Sequence, residues 1–168
     1  MQISFQHDIL PLKNELYRLA LRITLSREEA EDIVQDTMIK VWNNRERWQE
    51  IESIEAYCLT ICRNLALDAL KKKDNQHDSI EDKEIPISSL YAQNLQENII
   101  QRDYVQIVRT LIDELPEKQR SCIQLRDFEG KTYREIAAIL GITEEQVKVN
   151  IFRARKSVKQ RYMEIDKA

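Results

Sequence analysis

The sequence predicts an all-α fold of two small helical domains joined by a flexible linker, the C-terminal one carrying a helix-turn-helix. Three observations lead there. Of 168 residues only two are glycine and three proline, too few for the turns of a hairpin-rich sheet protein. Long stretches are dominated by Leu, Ile, Ala, Glu, Lys, Arg and Gln, with apolar residues recurring at helical spacing. One segment, 74–96, is polar, acidic and contains Pro86; it reads as a linker between domains at 1–73 and 97–168.

Taken in order, the first helix is expected from Asp8, its N-cap, to about Leu25, with Pro11 in the first turn where no helical hydrogen bond is lost. Ser26-Arg27-Glu28-Glu29 has the capping-box pattern that opens a second helix. There Ala30, Ile33, Val34, Thr37, Met38, Val41 and Trp42 follow the rhythm of one buried face. Asp32, Asp36, Ile39 and Asn43 share the opposite face, with Gln35 at its edge. Ser53 can cap a third helix to about Lys73, buried along Cys58, Ile61, Cys62, Leu65, Ala66 and Ala69. Its other side carries Tyr57, Thr60, Asn64, Asp68 and Lys71. Lys71, Lys72 and Lys73 suit the negative end of its dipole.

After the linker a helix is expected from about Glu97 to Leu115, where Pro116 stops it and starts the next, ending near Gly130. Thr132-Tyr133-Arg134-Glu135 is a further capping box, and Gly141 can adopt the left-handed conformation that ends a helix. Thr143-Glu144-Glu145-Gln146 then caps the last helix, whose inward stripe is Val147, Ile151, Ala154 and Val158. Two short helices across a three-residue turn, with small Ala137 at the crossing, form the helix-turn-helix pattern.

Charge is distributed unevenly. The formal net charge is −3, yet residues 148–161 hold six Lys and Arg and no acid. Such a stripe bears on nucleic-acid binding more than the total does. At about 100° per residue, Gln146, Val149, Phe152, Arg153 and Lys156 point outward, flanked by Lys148, Arg155, Lys159 and Arg161. A solvated basic side would look similar in composition. The helix-turn-helix context favours a helix in the major groove, long polar side chains on base edges and cations on phosphates.

Other chemistry finds no support. Cys58 and Cys62 stand one helical turn apart without a His or acidic companion, on an apolar stripe, and read as core. His7 and His77 are isolated. No nucleophile–base set, phosphate-cradling glycine loop or metal cluster can be assembled, so neither an enzyme nor a cofactor is expected. The N-terminus lacks a signal-peptide pattern and no apolar run reaches the ~18–20 residues of a membrane span, so a cytoplasmic protein without direct membrane insertion is expected.

Taken together, the chain resembles the RNA polymerase sigma factors of the sigma-70 superfamily, in their small two-domain extracytoplasmic-function (ECF) group. Three stretches carry the resemblance: AEDIVQDTMIKVW (30–42), AYCLTICRNLALDALKKK (56–73) and residues 115–160. It implies a protein that binds core RNA polymerase and directs promoter recognition, DNA melting and transcription initiation. By resemblance, Asp32, Gln35, Asp36 and Ile39 would bind the polymerase clamp helices. Tyr57, Thr60, Asn64 and Lys71 would meet the minus-ten element, with Asn64 near the flipped base. Trp48, in the loop that lines up with the family's specificity loop, either touches DNA or packs beneath it. Gln146, Lys148, Val149, Phe152, Arg153 and Lys156 would read the minus-thirty-five element. Implied partners are core polymerase, promoter DNA and an anti-sigma factor. The competing class is a helix-turn-helix regulator that is no polymerase subunit; a core-polymerase pull-down discriminates the two.

Overall fold

The structure, a computed structural model, describes residues 2–77 and 104–167. Its helices are α1 (Lys13–Thr24), α2 (Arg27–Asn43), α3 (Ile54–His77), α4 (Tyr104–Asp113), α5 (Glu117–Ile123), α6 (Tyr133–Leu140) and α7 (Glu144–Lys167). Among the described residues there is no strand.

Ser4, rather than Asp8, opens the first element. Its hydroxyl accepts from the His7 amide at 3.4 Å while the Asp8 carboxylate accepts from the Ser4 amide at 2.7 Å. This reciprocal pair starts a wide turn at Phe5–Ile9, and Pro11 sits in a tight turn at Leu10–Leu12 before α1 begins. At the other end Leu25 takes the left-handed conformation (φ 60°) usually given to glycine, its amide donating to the Leu21 carbonyl. Ser26 follows at once as the N-cap of α2, accepting from the Glu29 amide at 3.3 Å.

α3 continues four residues past the expected end at Lys73, because Asp74–His77 contain neither Gly nor Pro to stop it. The remainder of the expected linker, and the first turns of the helix expected from Glu97, lie outside the described residues. α5 passes directly into a wide turn at Gln124–Phe128, and Gly130 (φ 71°) redirects the chain into α6.

The core of the N-terminal group is built on α1, whose Leu16, Leu19, Ala20 and Ile23 are wholly buried against α2 and α3. Leu16, Leu19 and Ile23 each contribute roughly 1.5–3 kcal/mol of apolar burial. Cys58 and Cys62 are free and buried, as the stripe pattern implied, and Cys122 is free and buried too. Desolvation pushes the thiols of Cys58 and Cys62 up to about 12, so neither is a nucleophile near neutral pH.

In the C-terminal group both expected capping boxes form completely. Thr132 Oγ1 accepts from the Glu135 amide and Glu135 Oε1 from the Thr132 amide, each at 3.1 Å. Thr143 and Gln146 repeat the exchange at 3.0 and 3.1 Å. Between them Gly141 (φ 68°) ends α6 and half-buried Ile142 fills the turn. α7 crosses α6, burying Val147, Ile151 and Ala154. The two groups touch: α3 packs on α6 and α1 on α5, and one apolar cluster runs from Leu16 and Cys62 to Leu125 and Ile136.

Thr132→Ala should cost ~1 kcal/mol in denaturant unfolding. The hydrogen bonds from Thr132 hold the Glu135 carboxyl below the ordinary carboxylate value. Its contribution is therefore present above the unfolded value of 4.5 and is lost as pH falls through the lower folded value. A pH series of melts should show that loss in the parent and not in Glu135→Gln.

Candidate nucleic-acid and partner interfaces

Three exposed surfaces carry the residues singled out from sequence. On α2, Asp32, Gln35, Asp36 and Ile39 all face solvent, and Ile39 is 57 % exposed. Next to them lies a feature that periodicity assigned to the core. Trp42 is 46 % exposed, and with Phe5, Met38 and Ile39 it lines an open apolar groove. Phe5 meets Trp42 edge-on at 5.6 Å, and the Arg45 guanidinium lies over the same indole at 4.6 Å. The projection holds the signal: Trp42 lies only about 80° from Asp32 and farther from the centre of the buried stripe. An acidic helix face bordered by an apolar groove suits a partner with basic and apolar side chains together.

The second surface is the outer side of α3. Asn64 and Lys71 are exposed, whereas Tyr57 and Thr60 are half-buried. The Tyr57 hydroxyl accepts from Asn44 Nδ2 at 3.1 Å, tying α3 to the loop after α2. Thr60 Oγ1 donates to the Ala56 carbonyl at 2.7 Å, which occupies its proton and leaves its lone pairs for a donor. Of the two roles open to Trp48, contact with DNA or packing beneath the loop, the structure shows the packing. Trp48 is 7 % exposed, its Nε1 donates to the Val41 carbonyl at 3.0 Å, and its ring packs edge-on to Trp42 at 6.1 Å. An indole so satisfied supports the loop from beneath.

The third surface is α7. Gln146, Lys148, Val149, Phe152, Arg153 and Lys156 are exposed together, Phe152 by 66 %. Gln146 is less free than its exposure suggests: its Oε1 accepts from the Thr143 amide, which leaves its amide hydrogens and one lone pair for another partner. Two of the cations assigned to phosphate are engaged within the protein. Arg155 Nε donates to Asp127 at 3.1 Å, and Arg161 pairs with Glu114. Both acids come from elements distant in sequence, which a single-helix projection cannot show. Lys148 lies over the Tyr133 ring at 5.5 Å with its charge still exposed. Of the six cations at 148–161, Lys148, Arg153, Lys156 and Lys159 have no acidic partner among the described residues.

Among the described residues no three His, Cys, Asp or Glu side chains gather as a metal site, and no helix is long and apolar enough to cross a membrane.

Comparison with known families decides what these surfaces belong to. Residues 9–76 match the family model described as Sigma-70 region 2, and residues 106–158 that described as Sigma-70, region 4. The chain belongs to the sigma-70 family. Region 2 spans the α2 and α3 surfaces and region 4 the helix-turn-helix. The chain is 27 % identical over 157 residues to the ECF RNA polymerase sigma factor EcfG of Rhodopseudomonas palustris, covering 92 % of this chain and 83 % of that one. It is 25 % identical to the ECF RNA polymerase sigma factor SigM of Bacillus subtilis over 149 residues, with 89 % of each covered. Among solved structures, its fold is similar to that of the sigma factor RpoE of Bartonella quintana, crystallised with the anti-sigma factor NepR. That match has a TM-score of 0.73 at 23 % identity, covering 93 % of this chain and 94 % of the other.

Trp48→Ala should destabilise region 2 by ~3–5 kcal/mol in urea unfolding, as an emptied core site does. Asn64→Ala, on the exposed side of α3, should stay within about 0.5 kcal/mol of the parent.

Proposed function

We infer that this protein is an ECF-type sigma factor: it binds core RNA polymerase, directs it to promoters and supports DNA melting and initiation. The observation that carries this is the pairing of a region 2 helix that is acidic and apolar outside with a region 4 helix that is basic outside, in one chain. A regulator acting alone needs the basic helix but has no use for the α2 face.

Roles follow from chemistry. Asp32, Gln35 and Asp36 supply charge and hydrogen-bond acceptors to the clamp helices of polymerase, with Ile39 and Trp42 as apolar anchors. Asn64 offers both donor and acceptor to an unstacked base, and Lys71 neutralises phosphate. Tyr57 presents an aromatic edge to the melted strand. On α7, Arg153 can bond a guanine edge in two places, and Phe152 and Val149 can touch thymine methyls. Lys148, Lys156 and Lys159 serve the phosphates. The proposed domains are 1–73, carrying region 2, and 97–168, carrying region 4, with 74–96 as the linker. An anti-sigma factor is the expected regulator, since the sigma factor RpoE of Bartonella quintana, similar in fold, was crystallised with the anti-sigma factor NepR. Each contact can be weak, because polymerase converts the second into an intramolecular event.

The deciding experiment is run-off transcription with core polymerase on a genomic promoter library, where sequence-selective initiation is expected. Replacing Asp32 and Asp36 together by Arg should abolish core binding in a pull-down while helical content stays unchanged; normal binding would remove the clamp assignment.

Arg153→Ala should lose ~1–3 kcal/mol on the preferred minus-thirty-five sequence and blur discrimination at one or two base pairs. Lys159→Ala should weaken all sequences alike, lowering the salt slope by roughly one phosphate contact. A salt titration across duplex variants separates the two.

A further inference from the structure

Along the seam where the two helical groups touch, charged side chains meet opposite partners. Arg63 of α3, only 5 % exposed, donates to the Glu117 carboxylate of α5 at 3.2 and 3.1 Å. Lys131 pairs with Glu15 of α1 at 2.9 Å and with Glu55 of α3. Arg120 donates to the Arg22 and Ile23 carbonyls, at 3.0 and 2.8 Å, in the last turn of α1. One edge of the seam departs from this pattern. There the last turns of α1 and α4, the start of α2 and the wide turn at Gln124–Phe128 surround an open cavity of about 360 Å³.

Four arginines line it: Arg18, Arg22, Arg27 and Arg109. Acids answer two of them. Arg18 donates to Glu129 at 2.7 Å, and Arg22 Nη1 donates to Asp113 at 2.7 Å. Arg27 and Arg109 are exposed and form no ion pair among the described residues. Asp113 is the one carboxylate in the described lining, so the wall carries an excess of positive charge. Burial pushes the Asp113 carboxyl above its ordinary value although Arg22, Arg120 and Arg109 lie near it. Water is therefore scarce there, and in such a setting charge interactions are stronger than in bulk solvent.

Two polar groups in the wall keep an open valence. Gln124 is 2 % exposed; its Oε1 accepts from Arg22 Nε at 2.8 Å, while its Nε2 has no acceptor among the described residues. Asp113 Oδ1 accepts the Arg22 bond, and Oδ2 has no donor among the described residues. A donor and an acceptor thus line one cavity, the combination that a nucleobase edge requires. Phe128, 40 % exposed with the Arg22 guanidinium 5.2 Å from its ring centroid, keeps aromatic surface for a base. Leu21 and Leu25 add an apolar side. The wide turn makes this possible. Its Glu129 amide donates back to the Gln124 carbonyl at 3.1 Å, and within that one turn Gln124 is buried while Phe128 is exposed. Single wide turns of this kind recur at functional sites.

Guanidinium groups bind phosphate in two places at once, and an aromatic ring holds a base by its face. The volume lies within the roughly 300–1,000 Å³ of small-ligand sites. An inorganic anion would use the arginines but leave Phe128, Gln124 and Asp113 idle. We propose that this cavity binds a nucleoside di- or triphosphate, its phosphates on Arg27 and Arg109 and its base against Phe128, bonded to Gln124 and Asp113. None of the residues assigned to polymerase or DNA lines it, so its occupancy can be read without either.

Isothermal titration calorimetry of the full-length chain at physiological ionic strength tests the site, with GTP, ATP and pyrophosphate as probes. At least one nucleotide should bind saturably, about tenfold or more tightly than pyrophosphate. Arg27→Ala and Arg109→Ala should each weaken that binding roughly tenfold, as loss of a charge-assisted hydrogen bond does. Both residues are exposed, so helical circular dichroism should not change. Phe128→Ala should weaken the nucleotide by about fivefold or more and leave pyrophosphate unaffected. Replacing Lys156 and Lys159 together by Ala should leave nucleotide affinity unaltered, because those cations lie outside the cavity. Three results would overturn the site: no binding of either nucleotide, equal affinity for nucleotide and pyrophosphate, or binding that survives loss of Arg27 and Arg109.

Discussion

Burial of one side of α1 is the interaction on which the rest of the molecule depends. Leu16, Leu19, Ala20 and Ile23 have no exposed surface, and they meet α2, α3 and, through the shared cluster, the second helical group. A 12-residue helix has little stability alone. It persists because three neighbours cover it and because Arg120 satisfies the carbonyls at its end. Leu25 tolerates a left-handed backbone there since Ser26 must turn at once into α2, and that abrupt turn sets the angle at which the acidic face meets solvent.

From that arrangement comes the separation of charge that lets one acidic chain serve two partners of opposite sign. α2 shows carboxylates beside an apolar groove, while α7 shows cations beside Phe152 and Val149. Placing the two faces on separate helical groups keeps them from neutralising each other. The charges that do pair, across the seam, are those that point inward from α1, α3 and α5. A single fold thus contains spent charge, which holds the groups, and free charge, which finds partners.

Much of the fold was legible from residues alone. Ser26, Thr132 and Thr143 all cap helices, since a hydroxyl three residues before a Glu or Gln satisfies orphan amides whatever the surroundings. The buried stripes of α3 and α7 follow the helical period for an equally local reason. Misreadings came where another element intervened. Trp42 belongs to the edge of its helix, and Phe5, arriving from the N-terminal turn, makes that edge a groove. For Trp48 the sequence left two roles open, and the Val41 carbonyl, in reach of its indole, decides for the inside. Arg155 and Arg161 count as free cations on α7 until Asp127 and Glu114 are brought beside them.

By itself the sequence determined the helices, the caps of α2, α6 and α7, most of their apolar sides, the family and the outward placement of the residues singled out on α2 and α7. All of these depend on spacing within about four residues, which a linear chain displays directly. Tertiary structure alone decided which charges are spent and which are free, that Gln146 caps before it reads, and that region 4 rests on region 2 through partners 54 to 116 positions apart. Such choices turn on which side chains meet after the chain has folded back on itself, and no local pattern encodes that distance.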